Sequence, residues 1–78
     1  MIAKLVRQRD GLTRGGDIQY IEWDENDRGI DLHEEAQIGF SCIIDPYTMN
    51  PTWLTSVITE VISETEFKTK NSHYKIVK

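Results

Sequence analysis

The residues with chemistry to offer are concentrated in one run, Asp24–Glu35, which reads DENDRGIDLHEE. Numbered as a twelve-residue EF-hand loop, it places Asp24 first, Asn26 third, Gly29 sixth and Glu35 twelfth. These positions suit calcium, with oxygen donors, a glycine for the sharp turn and a closing carboxylate. The remaining positions fail. Arg28 puts a cation fifth, Asp31 replaces the usual hydrophobic residue at the eighth, and Leu32 offers no oxygen at the ninth. A strand pattern precedes the run where a helix is required. It reads as a solvated acidic loop turning at Gly29, and no metal site is expected.

Soft ligands and nucleophiles are sparse. Cys42, His33 and His73 lie on distant segments and lack the paired spacing of a zinc site. A single cysteine leaves no internal disulfide. Within Phe40–Ile44 (FSCII), Cys42 reads as a small buried hydrophobe. Nucleophilic catalysis needs a cysteine or serine activated by a histidine that an acid orients. His33 beside Glu34 is adjacency without a nucleophile. GLTRGG lacks the spacing and the strand–loop–helix context of a phosphate loop. Neither an enzyme nor a cofactor is expected.

Charge is more informative. The net charge is −4, but the signs are segregated along the chain. Lys4, Arg7, Arg9 and Arg14 stand early against Asp10. Glu22, Asp24, Glu25, Asp27, Asp31, Glu34 and Glu35 follow against Arg28, and Lys68, Lys70, Lys75 and Lys78 close the chain. If the end strands pair, Lys4, Arg7, Lys68, Lys70 and Lys75 form a cationic surface, with Tyr74 as a stacking platform. Small β-barrels bind single-stranded nucleic acid in this way. The acidic pI of about 5.0 opposes it, because phosphate attraction follows lysine and arginine content. The acidic lobe suits a basic partner instead. Tyr47 and Met49, on the loop Asp45–Pro51 beside Trp53, mark a protein-contact corner.

These residues need a scaffold, and the patterning is that of strands. Ile2–Arg7 is short and partly β-branched. Asp10-Gly11 and Gly15-Gly16 are turn signals. Ile18–Trp23 alternates Ile18, Tyr20 and Glu22 with Gln19, Ile21 and Trp23. Asp24–Glu35 is a polar loop with one helical turn expected near Asp31–Ala36, where Asp31 caps. Phe40–Ile44 is a short buried strand. Thr52–Ile62 is contested: Trp53, Leu54, Val57, Ile58, Val61 and Ile62 recur at helical spacing, and Asn50-Pro51 would start a helix. Yet Thr52, Trp53, Thr55, Val57, Ile58, Thr59, Val61 and Ile62 are β-branched or aromatic, which favours a pleated surface. Glu66–Lys70 and His73–Val77 flank Asn71-Ser72 as a hairpin with one wet, basic face.

The pattern Thr55-Ser56-x-Ile58-x-Glu60, followed by Phe67-Lys68-Thr69-Lys70-Asn71-Ser72-x-Tyr74, resembles a group of short uncharacterised bacterial and phage-borne proteins. The likeness covers the last third of the chain and extends to Ile38-Gly39. It implies that Thr55–Ile62 is a strand leading into the hairpin, and it points to a mobile-element origin. It carries no activity.

At 78 residues the chain makes a single domain, residues 1–78. The expected fold is all-β: five or six short strands in a partly closed barrel of SH3-like kind. The alternative is α+β, with Thr52–Ile62 helical. The start, MIAKLVRQRD, is too short and charged for a signal peptide, and no apolar run approaches about 18 residues. A cytoplasmic protein without membrane contact is therefore expected. Its expected function is a non-enzymatic protein-interaction module with an unidentified protein partner; the alternative is a nucleic-acid-binding barrel. Oligomeric state stays open.

Overall fold

Along Ile2–Arg7 the chain buries Ala3 and Leu5 and exposes Ile2 and Lys4. This period of two is a strand with one wet face. The same logic generates seven strands in the computed structural model, which describes residues 1–47 and 52–78. They are β1 (Ile2–Arg7), β2 (Thr13–Trp23), β3 (Gly29–His33), β4 (Ser41–Ile44), β5 (Trp53–Ser63), β6 (Glu66–Thr69) and β7 (His73–Val77). No helix occurs among the described residues, so none is long and apolar enough to cross a membrane.

The strands pair in the order β1-β7-β6-β5-β4-β2-β3, and β1 also pairs with β2. Six of them therefore close into an antiparallel barrel, with β3 added outside the ring on β2. Two long strands make the closure possible. The first part of β2 pairs with β1, from Asp17 opposite Ile2 to Thr13 opposite Val6. Its later part pairs with β3 on one side and β4 on the other. Likewise β5 pairs first with β4 and then with β6, with register shifts that let it bend.

Inside the ring lie Leu5, Ile18, Tyr20, Cys42, Ile44, Ile58, Phe67, Tyr74 and Ile76, with Ala3. Aromatic rings knit the far end together. Phe67 stacks on Tyr74 at 5.4 Å between centroids, and Tyr20 and Trp53 meet that pair edge-on.

The all-β barrel agrees with the sequence reading, and Thr52–Ile62 is a strand from Trp53 onward, as its β-branched content demands, with Thr52 just before it. The corrections are local. Gly15-Gly16 is not a turn but lies inside β2, opposite Lys4 and Ala3 of β1. A Cβ on Gly16 would come within 2.6 Å of the Asp45 carboxylate and 2.7 Å of Ile44 Cγ2, so close approach explains this glycine. The helical turn expected near Asp31–Ala36 is replaced in part by β3, because Ile30 and Leu32 alternate with Asp31 and His33. Phe40 precedes β4. The turn at Asn71-Ser72 is held by Thr69, whose Oγ1 accepts from both following N–H groups and whose own N–H donates to Ser72 O.

Candidate functional site

The hairpin of β2 and β3 carries most of the acidic lobe, and its turn is built by Asp24. One Asp24 carboxylate oxygen, Oδ1, accepts from the N–H groups of Asn26 (2.8 Å) and Arg28 (2.9 Å). The backbone closes the same turn: Asp24 N donates to Arg28 O and Asp27 N to Asp24 O. Asp27 takes φ of 59°, a conformation aspartate tolerates. An EF-hand needs these twelve residues wrapped around one centre. Here Asp24 serves the turn's own backbone, and Gly29 opens a strand.

The hairpin has two faces with different chemistry. Tyr20 of β2 points into the core, and His33 lies opposite it; Glu22 lies opposite Asp31. These four share the inward-turned face, where β3 extends past the barrel wall. His33 Nε2 is 2.8 Å from Glu22 Oε1, and its ring stacks on Phe40 at 4.8 Å with a 22° tilt. Asp31 Oδ1 accepts from Leu32 N–H at 2.9 Å. One donor atom from each of Glu22, Asp31 and His33 lies within 4.8 Å of the others.

The opposite, outward face is mainly apolar, with Gln19 and Ser41 as its polar members. Ile21 lies across from Leu32 and Ser41, Gln19 from Ile43, Ile43 from Leu54, and Ser41 from Val57. Trp23 lies over this face with its Nε1 donating to Ser41 Oγ at 3.0 Å. Gln19 Nε2 donates to the Tyr47 hydroxyl at 2.9 Å, bringing the Tyr47 ring over the same sheet. The result is a shallow groove with Ile21 and Ile43 on its floor, Ile30 and Leu32 along one side and Tyr47 on the other, bordered by Glu34. Ile30 projects because it is the extra residue where the β2–β3 register shifts after Glu22.

The cationic surface expected from sequence is divided. Lys4, Lys68 and Lys75 point outward on β1, β6 and β7. Acids interleave with them: Lys75 faces Glu66 and Lys68 faces Glu60. Lys70 lies past the end of β6. Arg7 and Tyr74 are opposite each other and turn toward the barrel end, where Tyr74 is buried. There the Arg7 guanidinium lies 5.5 Å from the Trp53 ring centroid and binds Asp10 in a fork, at 2.7 and 3.1 Å.

The expected protein-contact corner is also split. Trp53 packs inward against the core, whereas Tyr47 is exposed on the outer face; Met49 lies outside the described residues. Cys42 is fully buried, and burial pushes its thiol up to about 12. It is therefore a neutral core group at physiological pH, with almost no thiolate for nucleophilic chemistry. His73 of β7 pairs with Glu66 of β6, remote from Cys42 of β4 in the strand order.

The groove and the Glu22–Asp31–His33 cluster both escaped the sequence reading, since each depends on β3. The period-two pattern Ile30, Asp31, Leu32, His33 was the available signal, outweighed by the charge density around it. Comparison with known proteins finds no matching family model, no matching curated protein and no matching solved structure.

Proposed function

We propose that this chain is a non-enzymatic protein-interaction module that binds a basic, apolar segment of a partner protein in the groove between β3 and Tyr47. The supporting observation is that the β3-β2-β4-β5 part of the sheet carries apolar residues on its outer face as well as on its inner one. One face builds the core, while the other leaves Ile30, Leu54 and Val57 at 55%, 46% and 43% exposure. An antiparallel sheet with one solvated side normally turns polar residues outward. Carboxylates beside the groove, Glu34 among them, give the partner its sign. The resemblance of Thr55–Tyr74 to phage-borne proteins supports a mobile-element origin for such a module.

The test is fluorescence anisotropy with a labelled peptide of alternating lysine and leucine, beside its glutamate–leucine counterpart. The lysine peptide binds at low salt and weakens as salt rises. Ile30→Ser and Glu34→Lys each weaken it about fivefold or more. Both positions are exposed, and Glu34 loses only a 3.5 Å surface ion pair with the N-terminal amine, so the variants keep their fold. Equal binding of the glutamate peptide, or indifference to both substitutions, overturns the reading.

A further inference from the structure

We infer that Glu22, Asp31 and His33 form a binding site for a first-row divalent transition cation of the zinc type. The three donors lie on the hairpin face opposite Ile21 and Leu32, and Asp31 also borders the groove. It is a mixed donor set, one imidazole nitrogen and two carboxylates, drawn from two paired strands. Such a set matches the N/O preference of zinc and cobalt, and its two negative charges neutralise the ion.

The ladder supplies the placement. Glu22 and Asp31 are directly opposite, and His33, two residues along β3 from Asp31, returns to the same face. Two contacts fix the donor side chains. Phe40 holds the imidazole plane by stacking, and the Leu32 N–H holds the Asp31 carboxylate. With metal–ligand bonds near 2.0–2.2 Å, donors around one ion lie about 3–3.5 Å apart. The three donor atoms already lie within 4.8 Å, and His33 Nε2 and Glu22 Oε1 are 2.8 Å apart. Glu22 and Asp31 retain enough solvent exposure for a rotamer change to close the difference. Three protein donors leave further positions for water.

The experiment titrates the full chain with zinc by calorimetry and with cobalt by visible absorption. One equivalent binds, and cobalt develops d–d bands of a nitrogen–oxygen site. Glu22→Gln, which keeps size and hydrogen bonding, and His33→Ala each weaken zinc by about tenfold or more. His73→Ala leaves binding intact, because His73 belongs to a separate pair with Glu66. Circular dichroism confirms that each variant is folded. No binding at millimolar zinc overturns the inference, as does binding that survives in both hairpin variants or is lost equally in His73→Ala.

Discussion

Asp10 shows how a surface side chain acquires a defined job. Its carboxylate is held down to about 2, first by the hydrogen bond from Arg7 and then by the Leu12 N–H. A depressed folded-state value means that the stabilisation is complete above the ordinary value of 3.8 and is lost as pH falls through about 2. Carboxyl-detected NMR titration should place Asp10 near that lower value. In Arg7→Gln it should rise but stay below 3.8, because the Leu12 N–H remains. Tyr20 is the opposite case. Its hydroxyl is buried and, among the described residues, has no hydrogen-bond partner, and burial raises its pKa. A buried polar group without a partner costs stability, so removing it costs little or nothing. Tyr20→Phe should be neutral or stabilising by about 1 kcal/mol in urea denaturation. A clear loss would mean that the hydroxyl has a role in the folded state.

At the scale of elements, two glycines of similar appearance in the sequence do different things. Gly16 faces the Asp45 carboxylate, which is fixed by Thr52 Oγ1 at 2.6 Å and by the Asp17 N–H at 3.0 Å, so it cannot easily yield. Gly16→Ala should therefore cost roughly 2 kcal/mol or more, as overpacking does. A Cβ on Gly29 crowds the flexible end of Ile21, at 2.5 Å, and touches the Trp23 ring at an ordinary 3.9 Å, beside an open groove. Gly29→Ala should lower the urea midpoint clearly less, and equal losses would show that the Asp45 contact is not restrictive. Nothing near Gly15-Gly16 could have revealed this, because the constraint comes from a loop almost thirty residues away. The strand at Trp53–Ser63 was legible, since its β-branched residues carry the preference themselves. The strand at Gly29–His33 was legible only in its alternation. The cluster on its inner face was not, because a register shift after Glu22 decides what meets what.

For the whole molecule, the decisive feature is that closure depends on a strand from the beginning of the chain. β1 lies between β2 and β7 and completes the ring, while β3 hangs outside it. The largest side chain that β1 buries is Leu5, fully enclosed between the two neighbours. Truncating such a leucine to alanine costs about 2–5 kcal/mol, from lost transfer energy and the cavity left behind. A domain of this size has a total stability of only about 3–5 kcal/mol. The two ranges overlap, so Leu5→Ala should leave a large unfolded population at 25 °C in the absence of denaturant. Ile58→Val, at another fully buried core position, removes one methylene group and should cost about 0.5–1.5 kcal/mol while remaining folded. Amide dispersion in NMR spectra and the slope of urea unfolding separate the outcomes. A Leu5→Ala chain that is fully folded, with a urea midpoint no lower than that of Ile58→Val, would mean that the barrel does not need β1 to hold it shut. Unfolding of Leu5→Ala as a unit, with the β3 hairpin losing its dispersion together with the ring, is the behaviour expected of a closed barrel that shares one core.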